Sequence, residues 1–198
     1  MTPSKSKSEQ KRAYILDRAQ EVFIRRGYAA TSMEDLVRHC EVSKGSIYYH
    51  FTSKETLFLA LIERYLNAWV AEWKQKEARY PTVTEKLYGI AEHYVLDTQH
   101  PLLKVAEDFY MSQPAQKVRV KRQVLDIVLT PRQLYNAIFQ EAEHVGLIAP
   151  GSAKNVAIVF ASLIDGLNTI YYERTQEEKK QMYQQAVSYL LHGVLHKQ

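Results

Sequence analysis

The chain has 198 residues, enough for one large or two small domains built around a real hydrophobic core. Its composition, 46% hydrophobic and 24% charged, is that of a soluble globular protein rather than a disordered or fibrous one. A single cysteine, Cys40, excludes an internal disulfide framework and a cysteine-rich metal site, and the longest apolar run, Val156 to Ile164, is too short to cross a bilayer. The polar residues 1–8 lead into no apolar segment, so no secretory signal is expected, and the expected location is the cytoplasm. The net charge of +4 is unevenly spread. Residues 1–60 carry ten Lys and Arg against seven Asp and Glu, with Lys5, Lys7, Lys11 and Arg12 grouped before the first helix. On charge alone, a solvated tail and a phosphate-contacting arm fit this group equally well.

Helix signals dominate in chain order. Ile15, Ala19, Val22 and Phe23 fall at helical spacing, and Gly27 is placed to stop that helix in a left-handed conformation. Thr31 with Glu34 reads as a capping box opening a short second helix, and Ser43 caps a third over Lys44 to His50. Thr52 and Glu55 form another capping box, followed by a long helix through Leu57, Leu61, Tyr65, Leu66, Trp69 and Trp73 to about Arg79. Thr82 with Glu85 starts the next helix, and Pro101 suits the first turn of another. A basic helical stretch follows Pro114, Thr130-Pro131-Arg132-Gln133 marks a restart, and Gly146 is the expected stop. Ser152 caps a helix reaching Tyr172, and Thr175 with Glu178 caps the last one. The fold class is therefore all-α.

Function is carried by Gly27 to Val37 and by the run Val42-Ser43-Lys44-Gly45-Ser46-Ile47-Tyr48-Tyr49-His50-Phe51. A helix-turn-helix needs two short helices, a tight turn, and a second helix whose front residues reach the major groove. Leu36 and Val37 can pack inward against Val42 and Ile47, with Phe51 plugging the join to the long helix. Lys44, Ser46 and Tyr49 are left on the outward part of a helix too poor in apolar residues to be buried all round.

These residues, with Lys54, resemble the TetR family of one-component transcriptional regulators, closely over residues 10–60. Beyond that, only helix order, length and the Asp165-Gly166 pair match. The resemblance implies an N-terminal helix-turn-helix domain, residues 1–52. A long helix would join it to a larger helical effector-binding and dimerisation domain, residues 53–198. The chain departs from the family in the turn, where Cys40-Glu41 replaces small residues and asks Glu41 for a positive φ. By resemblance, Thr31, Ser32, Tyr48, His50 and Lys54 touch phosphates, Lys44, Ser46 and Tyr49 approach bases, and Gly45 gives close backbone approach. Tyr48 has a second reading as core, and His50 as a cap on helix carbonyls.

Two-fold operators are matched by two-fold proteins, so a homodimer on double-stranded DNA is expected. Val156, Phe160, Leu163, Gly166 and Leu167 with Met182, Ala186 and Leu190 supply the candidate interface, and these stripes also read as the monomer's own core. The family's small-molecule pocket would draw on Trp69, Trp73, Tyr88, Tyr94, Phe109, Tyr110, Tyr135, Phe139 and Asn168, for a hydrophobic or aromatic effector. Taken singly, such aromatics are more often core. The group Lys117, Arg119, Lys121 and Arg122 reads first as a solvated face, His192 and His196 as complements of a helix dipole, and Cys40 as packing. No cofactor, metal or membrane partner is expected. No nucleophile elbow, phosphate loop or zinc-protease motif is present, so an enzyme is the weaker reading, alongside a protein-binding adaptor. The reading this favours is a repressor released from a palindromic operator by its effector.

Overall fold

The computed structural model describes residues 6–97, 100–112, 120, 122–124, 127, 129–170 and 174–194, with the side chains of 168–170 and 194 left aside. Among these residues all regular structure is helical. The helices are α1 (Lys7–Arg26), α2 (Met33–Cys40), α3 (Lys44–His50), α4 (Lys54–Glu77), α5 (Val83–Asp97), α6 (Pro101–Ser112), α7 (Arg132–His144), α8 (Ala153–Ile170) and α9 (Gln176–Val194). None of the described helices is long and apolar enough to cross a membrane. Residues 120, 122–124 and 127 are also helical, with Val120 and Val124 buried. Of the basic group, Lys117, Arg119 and Lys121 lie outside the described residues, as does His196.

The chain forms two compact units, residues 1–65 with 100–128, and residues 66–99 with 129–198. The division does not follow the expected break after residue 52. The first turns of α4 bury Leu57, Phe58, Leu61 and Ile62, and Phe58 meets Phe23 at 4.9 Å, Tyr28 at 5.0 Å and Phe109 at 5.0 Å. This aromatic cluster ties α1, α4 and α6 into one core, which Ile15, Leu16, Ala19, Val22, Leu36, Ile47 and Leu102 complete.

In the second unit, the later turns of α4 join α5, α7, α8 and α9. Their core holds Trp69, Trp73, Leu87, Ile90, Tyr135, Ile138, Phe139, Phe160, Ile164, Tyr183 and Val187. Gly89 is needed here for close approach, because a Cβ would collide with the Tyr80 ring. That ring stacks on Trp73 at 5.5 Å.

Capping chemistry sets most helix starts, with shifts in register. Thr82–Glu85 and Thr175–Glu178 form the expected reciprocal bonds. In α2, however, the cap is Ser32 with Asp35, while Thr31 is buried and donates its hydroxyl to the Gly27 carbonyl at 2.7 Å. For α4 the reciprocal pair is Ser53 with Thr56, one residue after the expected Thr52–Glu55. α7 begins at Arg132 with Pro131 as an uncapped N-cap. Ser152 donates to the Ala149 carbonyl instead of capping α8. The Glu143 carboxylate takes that role, accepting the N–H groups of Gly151 and Ala153, which hold its pKa below the usual range. Gly27 stops α1 at positive φ, although it is extended in ψ at 167° rather than left-handed, and Gly146, two residues past α7, also has positive φ.

Candidate nucleic-acid interface

The helix-turn-helix is built from α2, a tight turn and α3. Glu41 ends α2 at φ 52° and ψ 42°, the left-handed conformation the turn demands. Its N–H donates to the Arg38 carbonyl, and the Val42 N–H to that of Val37. Cys40 is fully buried, with its thiol directed at the Ile15 carbonyl 3.8 Å away. Burial pushes that thiol up to about 11, so it stays protonated and acts as packing.

Ser43 caps α3 by accepting the Ser46 N–H at 3.1 Å. Ile47 is buried, and Phe51 closes the helix beneath the Arg12 guanidinium, which lies 5.1 Å from its ring centre. These anchors leave Lys44, Gly45, Tyr48 and Tyr49 exposed, with Ser46 and His50 half-buried. Tyr49 is the extreme case, 78% exposed, and meets His50 edge-on at 5.0 Å. The Lys44 ammonium lies 5.8 Å from the Tyr48 ring centre and makes no ion pair among the described residues. One short helix thus presents an ammonium, two phenols, a hydroxyl and an imidazole to solvent, all suited to phosphate oxygens or base edges.

The remaining expected contacts have intramolecular partners. Ser32 is exposed, yet its hydroxyl donates to Asp35 Oδ2 at 2.6 Å. Lys54 Nζ donates to the carbonyls of Tyr28 at 2.8 Å and Thr31 at 2.6 Å, and sits 4.2 Å from the Tyr28 ring centre. Partial burial lowers its pKa. The Tyr28 hydroxyl is pushed up to about 12, first by burial and then by Glu55. Lys54 therefore clamps the loop entering α2. Tyr28, the other half of the clamp, went unsuspected in the sequence, because the bonds reach its backbone and backbone carbonyls carry no residue code.

Within the second unit, Trp69, Trp73, Tyr135 and Phe139 belong to the buried core, with Tyr88 and Tyr94 packed against it. Tyr94 donates to Asp165 Oδ1 at 3.3 Å, and Arg132 lies 3.6 Å from Oδ2. Burial raises Asp165, and raises Tyr94 and Tyr135 much further. Phe109 and Tyr110 do not join this group: Phe109 packs on Tyr28 and Phe58 in the first unit, and Tyr110 is exposed. The Asn168 side chain lies outside those described. Sequence reasoning also missed His93, which is buried between Trp69 at 4.5 Å and Trp73 at 5.9 Å.

The candidate interface residues separate by exposure. Phe160 and Ala186 are buried in the monomer core, so they are not free to form a surface. Val156, Leu163, Leu167, Met182 and Leu190 are half-buried, while Gly166 is exposed with open space around it. Ile158 and Val159 on α8 and Tyr189 on α9 are the exposed large apolar groups there, at 48%, 54% and 72%.

A capped, outward-facing second helix after a left-handed turn, in an all-helical chain, defines a helix-turn-helix DNA-binding protein. Comparison with known proteins gives the family. Residues 15–61 match the model of bacterial regulatory proteins of the tetR family, and residues 65–196 that of the QacR-like protein C-terminal region. The chain belongs to the TetR family of DNA-binding transcriptional regulators, with a QacR-like C-terminal region. It is 26% identical over 187 residues to the regulator QacR of Staphylococcus aureus, covering 91% of this chain and 96% of that protein. It is 31% identical over 120 residues to the activator FasR of Mycolicibacterium smegmatis, covering 57% and 53%. Among solved structures, a TetR-family regulator from Cytophaga hutchinsonii superposes with TM-score 0.76 at 19% identity, over 99% of this chain and 100% of that one. FadR of Bacillus subtilis in complex with stearoyl-CoA does so with TM-score 0.75 at 18% identity, over 92% and 98%.

Proposed function

We propose that this regulator is a cytoplasmic, non-enzymatic repressor that holds a palindromic operator as a homodimer and is released by a lipophilic or aromatic effector. The observation that carries the DNA-binding part is the free face of α3. Lys44, Ser46 and Tyr49 reach base edges, and Tyr48 and His50 reach the flanking phosphates, as Ser32 does once its hydroxyl turns from Asp35. Gly45 lets the helix backbone approach closely. Lys54 serves this face by clamping the Tyr28–Thr31 loop, leaving it at most one N–H for a phosphate.

The dimer reading is supported by Ile158, Val159 and Tyr189, apolar groups exposed beside the half-buried Leu163, Leu167 and Leu190. The effector reading is supported by the aromatic interior around Trp69, Tyr94 and Tyr135, bordered by the polar Tyr94–Asp165–Arg132 group, whose Asp165 and Arg132 reach solvent. FadR of Bacillus subtilis, of the same fold, is in complex with stearoyl-CoA. Selecting bound sequences from random duplex DNA, with and without lipophilic compounds, tests all three parts. Recovery of a palindrome that a compound releases is expected. Sequences lacking two-fold symmetry would overturn the dimer reading, and insensitivity to every compound the effector reading.

A further inference from the structure

Beside the helix-turn-helix, α1 and α2 enclose a cleft of about 230 Å³ that the operator-reading helix does not use. It is lined by Val22, by Arg18, Arg25, Arg26, Arg38 and His39, and by two carboxylates, Asp35 and Glu41, while Glu21 beside it pairs with Arg18 and His39. The acids leave most of the guanidinium donors unspent. Asp35 Oδ2 is occupied by the Ser32 hydroxyl and N–H, at 2.6 and 3.1 Å. Only Oδ1 remains for both Arg26 at 3.1 Å and Arg38 at 3.4 Å, and each guanidinium carries five N–H donors. Arg18 is fixed by Glu21 at 2.9 Å and by the His39 carbonyl. Arg25 has no hydrogen bond or ion pair among the described residues.

We propose that this cleft binds phosphate, and that its occupant is the sugar–phosphate backbone beside the operator half-site. Forked guanidiniums match tetrahedral oxyanions bidentately, and a concave site with several of them concentrates the field on one or two phosphate groups. Continuity favours DNA as the source: Ser32 at the start of α2 bonds Asp35, which bonds Arg26 and Arg38, so the cleft begins one helical turn from the proposed phosphate contact. A free phosphate ester would meet the same donors. The inference rests on the DNA-binding reading of α2 and α3, and a probe without DNA separates the two.

The experiment compares the full chain with the double variant Arg25→Gln/Arg38→Gln, both side chains being exposed and outside the core. Arg79→Gln, in the other unit, is the charge control. Operator affinity is measured across a chloride series on duplexes with short and long flanks, and thermal stability with pyrophosphate at matched ionic strength. On the long duplex, the log–log salt slope should flatten by about 1 for each phosphate that the double variant no longer neutralises, with the control unchanged. An unchanged slope, with pyrophosphate stabilising the wild type but not the double variant, would overturn the DNA source and leave a site for a free phosphate ester. No difference in either measurement would overturn the proposal.

Discussion

The two units differ in where they keep their polar chemistry. In the first, Lys44, Tyr49, Ser32 and the arginines of the α1–α2 cleft lie at the surface, over an aromatic core of Phe23, Phe58 and Phe109. In the second, His93, Tyr94 and Tyr183 are drawn among aromatic rings, and their polar atoms are met by carbonyls and a carboxylate. A surface that must exchange water for DNA keeps its donors hydrated and its stability elsewhere. An interior holding phenols and an imidazole ties its stability to their hydrogen bonds and protonation. In the first unit, stability and binding should therefore be separable by mutation.

Phe58→Ala gives the largest effect. The side chain is fully buried at the centre of the aromatic cluster, so truncation should cost about 3–5 kcal/mol in denaturant unfolding. Tyr49→Ala, on the exposed face, should leave the unfolding midpoint in place while weakening operator binding. Equal loss of stability in both would end the separation.

Lys44 and Lys54 sharpen the same contrast within one motif. Lys54→Ala removes two charge-assisted bonds to carbonyls and should cost about 2 kcal/mol of stability. Lys44→Ala should leave stability unchanged but cost about 1–3 kcal/mol on the operator and relax preference at particular positions. Isotherms on operator and scrambled duplexes, beside urea titrations, distinguish them. An unchanged unfolding midpoint for Lys54→Ala, with a salt slope flatter by about 1, would return Lys54 to the phosphate backbone.

In the second unit, His93 makes stability depend on pH. Nε2–H donates to the Trp69 carbonyl at 3.1 Å, and the Lys76 ammonium approaches Nδ1 at 3.5 Å. Burial lowers its pKa; the carbonyl and the carboxylates of Glu72 and Asp97 oppose this, and Lys76 adds to it. The unfolded chain binds the proton more readily, so this contribution is full above the unfolded value of about 6.5 and is lost as pH falls through the folded one. The urea midpoint should fall below pH 6.5 in the wild type and less steeply in His93→Gln. Identical slopes would remove His93 from the account.

What could be read from the sequence follows the same division. Helix order, the turn and the α3 face were legible because apolar spacing and cap residues are local signals. Even so, the caps at α2 and α4 slipped by one. Thr31-x-x-Glu34 overlaps Ser32-x-x-Asp35, and Thr52-x-x-Glu55 overlaps Ser53-x-x-Thr56, so spacing alone does not choose between them. Thr31 was withdrawn from capping by its bond to Gly27. The Lys54 clamp, the His93 stack and the pairing of Arg26 with Asp35 join residues distant in sequence or backbone atoms without identity, and no period marks them. Phe160 and Val159 show the limit on helix faces: neighbours in the chain, one is core and the other exposed.

Glu41 gives the smallest expected effect and the clearest local one. At φ 52° it is the non-glycine residue with positive φ among those described, and the left-handed region costs an L-residue about 1–2 kcal/mol. Glycine removes that penalty but loses more chain entropy on folding, by about 0.5–1 kcal/mol. Glu41→Gly should therefore stabilise the protein by about 0.5–1 kcal/mol in urea unfolding, without changing helix content. The carboxylate also borders the arginine cleft, so Glu41→Gln is needed to separate charge from backbone. It keeps the side-chain shape and the positive φ, and should leave stability near wild type. If Glu41→Gln stabilises as much as Glu41→Gly, the gain belongs to the cleft's electrostatics and the turn carries no strain for glycine to relieve.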